Sequence, residues 1–190
     1  MKNIYLVNYS VKGIKTLDEL ISLSFYKKTI TRNLDTQEYN VKGIYGMNGS
    51  GKSAIVTSAD ILRNLLTNPG YLNNPIVQKN LEELINKKLG ELFISVDFLV
   101  NLNKQENSIP VLMRYMVTIS QNSNGKYAIS HEKLSCKNAC RKSDFMFNVF
   151  ETQKGDVISV IDEAENPFLK RFLDKTTNLL EDNSMCVLFF

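Results

Sequence analysis

The chain has 190 residues, 43% of them hydrophobic and 23% charged, with a formal net charge of +3. That length buries one good core, as a single domain or a domain with an appended subdomain. The charge is too small to argue by itself for nucleic acid, no run of basic residues suggests an electrostatic arm, and neither a signal-peptide pattern nor a membrane-length apolar run occurs, so the chain reads as cytoplasmic with no membrane partner.

Two strands are predicted first, over 3–9 and 20–26. In the second, Ile21, Leu23 and Phe25 fall on one face and Ser22 and Ser24 on the other, a period of two. The intervening VKGIKTLDE is long enough for a loop or a wide hairpin, and 27–40 are polar and irregular. A short apolar run, Val41–Tyr45, is predicted as a third strand. It leads into Gly46-Met47-Asn48-Gly49-Ser50-Gly51-Lys52-Ser53, which fits G-x-x-x-x-G-K-[ST] at every fixed position. A helix then runs to about Asn68, with Ile55, Ala59, Leu62 and Leu66 at helical spacing and Asn68-Pro69-Gly70 as its stop.

Each position of that motif suits a phosphate. Gly46, Gly49 and Gly51 free the backbone to adopt conformations barred to other residues, so that successive N–H groups curl around the β-phosphate. A helix opening at Lys52 aims its positive dipole end at the same anion. Lys52 is placed to bridge β- and γ-oxygens, and Ser53 offers its hydroxyl to Mg²⁺. The candidate nucleotide-binding residues are Gly46, Asn48, Gly49, Ser50, Gly51, Lys52, Ser53 and Ala54, with ATP and Mg²⁺ as the ligands. A glycine-rich turn before an ordinary helix would need neither Lys52 nor Ser53 at those places.

A second helix is predicted from about Ile76 to Leu89, closed by Gly90. The period then switches: Leu92, Ile94, Val96 and Phe98 alternate in a strand, and Val111–Ser120 reads as another. Asn124-Gly125 is a hairpin turn into Lys126–Leu134. Phe145–Glu151 and Val157–Ile161 form a further hairpin around Gln153-Lys154-Gly155-Asp156, which completes a β-meander of five strands. A last helix is predicted near Pro167, carrying Phe168, Phe172 and Leu179. The apolar end Met185–Phe190 suggests a docked strand or a natural chain that continues past Phe190. The whole reads as one nucleotide-binding domain: 1–90 with the phosphate loop, 91–162 as a β-rich subdomain, and 163–190 as helix and apolar end.

Other residues invite chemistry. Val157–Ile161 followed by Asp162-Glu163 has the form of a strand that presents an Asp to Mg²⁺ and a Glu as base. Its tight turn makes it antiparallel to its predecessor, however, whereas a catalytic strand runs parallel to the phosphate-loop strand. The bland reading is two acidic residues before the last helix. His131, the only histidine, is read as an exposed strand residue. Three cysteines argue against a disulfide framework. Cys136 and Cys140, spaced C-x3-C after His131, are read as free loop thiols against a zinc site that would lack a fourth ligand.

The motif and its two preceding strands, over Ile4–Leu20 and Ile44–Ser53, resemble the N-terminal part of ABC-type ATPase heads. The likeness is to the SMC/RecF-like branch and to AAA-like ATPases found beside OLD-family nucleases and in phage defence. Tyr127–Leu134 and Phe147–Glu151 look like the antiparallel subdomain of those heads. The resemblance implies an α/β fold with α+β character, a P-loop NTPase core bearing a β-meander, of which this chain is the first lobe. It implies ATP sandwiched between two heads, hence a homodimer, with DNA or a nuclease effector as further partners. No signature motif is present, and the glutamine that senses the γ-phosphate is unassigned among Gln105, Gln121 and Gln153. Three functions follow: an ATP-binding lobe whose hydrolysis needs a second lobe, a self-contained P-loop NTPase or kinase using Asp162 and Glu163, or a nucleotide-gated interaction module.

Overall fold

The computed structural model describes residues 4–26, 41–100, 110–139 and 145–160. Seven strands and two helices make an α+β arrangement: β1 (Ile4–Lys12), β2 (Ile21–Ser24), α1 (Lys52–Thr67), α2 (Pro75–Leu84), β3 (Glu91–Val100), β4 (Val111–Gln121), β5 (Tyr127–Asn138), β6 (Phe147–Gln153) and β7 (Asp156–Val160). A 3-10 turn, Tyr71–Asn73, separates the helices. The strands form one sheet in the order β2-β1-β3-β4-β5-β6-β7, and every neighbouring pair is antiparallel. The N-terminal strands and the five-strand meander thus share one sheet.

Alternation decides which face is covered. Tyr9, Val11, Ile94, Val96, Tyr115 and Val117 join one buried cluster with Ile55, Leu62 and Leu65 of α1 and Leu81 of α2. Each such fully buried aliphatic side chain contributes about 1.5–3 kcal/mol. The other face is mixed: Val7, Leu99 and Leu112 form a small buried cluster at one end, and a mostly polar row crosses the sheet. Ser22, Ser10, Ser95, Met116, Lys133, Glu151 and Ser159 lie in one row across all seven strands. Asp97 is buried on that face and held by Arg114 through two parallel bonds, Nε to Oδ1 at 2.6 Å and Nη2 to Oδ2 at 2.8 Å. The paired charges satisfy each other where an isolated carboxylate would be costly.

The hairpins follow their turn chemistry. Lys154 and Gly155 have φ of 49° and 83°, the two left-handed residues of a tight β6–β7 turn. Between β4 and β5, Gly125 is left-handed, and Asn122 Oδ1 accepts from the N–H groups of Asn124 and Lys126 at 3.0 and 3.1 Å.

Three expectations are corrected. Val41–Tyr45 forms no strand and is exposed along most of its length, because no described neighbour pairs with it. The second helix ends at Leu84, not Leu89, because Ile85 turns extended and bridges to Ile14. The buried stripe of α1 is Ala54, Ile55, Ser58, Ile61, Leu62 and Leu65, so Ala59 faces out and Leu66 is half-buried. The reason is Ser58, whose hydroxyl meets the Tyr9 phenol at 2.7 Å and donates to the Ile55 carbonyl at 2.7 Å. A hydroxyl so satisfied tolerates the core and turns the helix toward β1. The predicted helix near Pro167 and the apolar end lie outside the described residues.

Candidate phosphate-binding site

Helix α1 starts at Lys52, and Gly51 before it is left-handed at φ 89° and ψ 6°. Gly49 is left-handed too, at φ 85°. Those two positions need glycine, since a side chain disfavours that region. Gly46 does not use that freedom, contrary to the expectation for all three glycines. A Cβ there would meet only the exposed Ser50 side chain, its hydroxyl at 2.7 Å, which can rotate aside.

The loop is closed by the Ser50 N–H, which donates to the Met47 carbonyl at 3.2 Å. The first bond within α1 runs from the Ile55 N–H to the Gly51 carbonyl at 3.2 Å. That register leaves the N–H groups of Gly51, Lys52, Ser53 and Ala54 without intrahelical acceptors. The N-cap, Gly51, has no side chain to cap this helix end, and the first turn carries no acidic residue. The end is therefore suited to an anion, through its dipole and its N–H donors together.

The Lys52 ammonium curls back over the loop and donates to the carbonyls of Gly46 at 2.6 Å and Met47 at 2.7 Å. These two bonds hold its positive charge over the loop. Asn48, Gly49, Ser50 and Ser53 are exposed, while Ala54 is buried at 1% exposure. Ala54 thus offers the site its N–H and gives its methyl to the core. The Ser53 hydroxyl is in solvent beside a backbone braced by Thr57, whose hydroxyl donates to the Ser53 carbonyl at 2.8 Å.

Two residues escaped the sequence reading. A Cβ at Gly51 would overlap Cδ2 of Leu17, and the Thr16 hydroxyl lies 3.5 Å from the Gly49 carbonyl. Both come from the β1–β2 connection. No periodicity or motif could have flagged them, because the contact joins residues 33 apart along the chain.

The other candidates separate from this site. Asp162, Glu163, Cys140 and Gln105 lie outside the described residues. The hairpin before Asp162 is antiparallel, as its turn implied. Cys136 sits on β5 and not in a loop, because the strand extends to Asn138 in register with β4. Burial raises its thiol pKa, which disfavours the reactive thiolate. No group of three or more potential metal ligands occurs among the described residues. His131 is half-buried rather than exposed, because its ring Nε2 lies 2.9 Å from a Glu151 carboxylate oxygen. Gln121 and Gln153 end β4 and β6. Among the described residues no helix is long and apolar enough to cross a membrane. No protein-family model, no curated protein and no solved structure matches this chain.

Proposed function

We propose that this chain is the ATP–Mg²⁺-binding N-terminal lobe of an ABC/SMC-like ATPase head, with a P-loop NTPase core whose hydrolysis needs a second lobe and dimerisation. The observation that carries the reading is the uncapped start of α1, with left-handed Gly49 and Gly51 before it and the Lys52 ammonium over the loop. On this reading the loop and first-turn N–H groups donate to phosphate oxygens. Lys52 exchanges two carbonyl acceptors for charged ones, a stronger bond. Ser53 turns its hydroxyl toward Mg²⁺, which neutralises charge on the β- and γ-phosphates.

The requirement for a second lobe is supported by what surrounds the loop. Tyr45 and Met47, on either side of Gly46, are 95% and 85% exposed, two large apolar side chains that a second lobe would cover. The antiparallel β6–β7 hairpin disfavours the self-contained enzyme that Asp162 and Glu163 would make. A homodimer through the head, and DNA or a nuclease effector, are the partners this reading implies.

Calorimetric titration with ATPγS and Mg²⁺ tests it. Binding is expected for the wild type, with a loss of about tenfold or more, roughly 1.4 kcal/mol, in Lys52→Ala. Equal affinity of the two proteins would sink every nucleotide reading. Hydrolysis by this chain alone is expected at background. Robust turnover that disappears in Glu163→Gln would instead establish the self-contained enzyme.

A further inference from the structure

We infer that the β1–β2 connection is a buttress that holds the phosphate loop in its binding geometry, with Leu17 as the positioning residue; the inference rests on the nucleotide reading above. The connection folds as a tight turn in which the Gly13 N–H donates to the Leu17 carbonyl at 2.8 Å and the Leu17 N–H to the Ile14 carbonyl at 2.9 Å. Gly13 and Lys15 are both left-handed, at φ 85° and 51°. Lys15 has a side chain and disfavours that region, so the surroundings must impose it.

They do so from the end of α2. The Lys15 N–H donates to the Leu84 carbonyl at 2.7 Å, and the Asn86 N–H to the Gly13 carbonyl at 2.9 Å. The Asn86 side-chain amide donates to the Lys15 carbonyl at 2.7 Å. Outside them, the Lys88 ammonium donates to an Asp18 carboxylate oxygen at 3.1 Å. The turn is thus fastened along its α2 side, away from the phosphate loop.

What it presents there is Leu17, 8% exposed, occupying the space a Cβ of Gly51 would take. Its neighbour Thr16 reaches the carbonyl of Gly49. The turn thus approaches both left-handed glycines of the loop. Leu17 stops Gly51 from relaxing toward the sheet, and so fixes where α1 begins and where its free N–H groups point. An anion cradle ordered in advance avoids paying the loop's conformational entropy at the moment of binding.

Two measurements on the whole chain decide this. The first is the affinity for ATPγS–Mg²⁺ of Leu17→Ala, Leu17→Met and Leu65→Ala, where Leu65 is a buried residue of the same core on α1. Leu17→Ala is expected to bind at least about tenfold more weakly. Leu17→Met, which restores the volume, should return to within about twofold, and Leu65→Ala should lose thermal stability without losing affinity. The second is hydrogen exchange of the Ser50 and Ile55 amides in nucleotide-free protein, expected to accelerate in Leu17→Ala and not in Leu65→Ala. Asn86→Ala, which frees the turn without touching the core, should accelerate the same amides and covers the case in which Leu17→Ala does not fold. Unchanged exchange at Ser50 and Ile55, or equal effects of Leu17→Ala and Leu65→Ala on affinity and exchange, would overturn the buttress. Failure of the wild type to bind ATPγS would overturn the proposed function instead, and the exchange comparison would still judge the buttress.

Discussion

Lys133 faces Glu151 directly across β5 and β6, its ammonium 2.7 Å from a carboxylate oxygen. His131 at 2.9 Å and the Asn148 amide at 2.8 Å complete the carboxylate's partners. The Lys133 bond, then His131 and Asn148, draw the Glu151 carboxyl down from 4.5 to about 2. A carboxyl whose folded value is depressed contributes stability above its unfolded value and loses it as pH falls through the folded one. The contribution is therefore complete above pH 4.5 and lost toward about pH 2. Lys133→Ala should cost about 1 kcal/mol near neutrality, as for a partly solvated pair, and flatten that acid limb. Thermal unfolding between pH 2 and 6 measures it; an unchanged acid limb would contradict the pairing.

Tyr9 gives the opposite limb. Burial pushes its phenol from 10.0 up to about 12, partly opposed by the bond to Ser58. The folded state holds this proton more tightly than the unfolded chain, so stability is complete below pH 10 and lost as pH rises toward about 12. Tyr9→Phe should cost about 1 kcal/mol near neutrality for the lost bond. It should also remove this residue's share of the alkaline loss. Denaturant unfolding of both proteins at rising pH separates the two effects.

The glycines of the phosphate loop should not be equivalent. At Gly49 a Cβ meets nothing within 4 Å, so Gly49→Ala carries only the left-handed backbone penalty, about 1–2 kcal/mol. Gly51→Ala bears that penalty and a clash with Leu17. It should destabilise more than Gly49→Ala by denaturant midpoint. The difference should shrink when Leu17→Ala is added; additive costs would mean that the two residues do not touch.

Gln78 fastens α2 to the sheet. Its amide nitrogen donates to the carbonyls of Leu72 at 2.6 Å and Tyr127 at 2.8 Å, and its oxygen accepts from the Tyr127 N–H at 2.8 Å. Gln78→Ala should cost about 3 kcal/mol, since it removes three bonds each worth about 1. Limited proteolysis should then cut within Tyr71–Leu84 first. Cleavage rates unchanged there would show that apolar packing alone holds the helix.

Local chemistry made most elements legible. Asn124-Gly125 and Lys154-Gly155 announced their hairpins, because Gly125 and Gly155 readily supply the left-handed residue each turn uses. Helix α2 opens at Pro75, one residue before the expected Ile76, with Asn74 Oδ1 accepting the Ile76 N–H at 2.9 Å. Failures came where the presence or absence of a distant partner overrode the local pattern. Val41–Tyr45 is apolar enough for a strand but has no described strand beside it. The 85–89 segment is helical by composition, yet Ile85 finds Ile14 and Asn86 binds the β1–β2 turn.

The sequence alone determined the glycine-rich turn at Gly46–Gly51, the start of α1 after Gly51 and the five-strand meander, because glycines, turn residues and periodicity act within a few residues of where they stand. Only the tertiary structure decided that both N-terminal strands share the meander's antiparallel sheet. It alone set the facing of α1, through Ser58 and Tyr9, and brought Leu17 against Gly51. Contacts between residues far apart in the chain leave no mark on local pattern. They depend on loop closure and side-chain shape, which are settled only when the core packs.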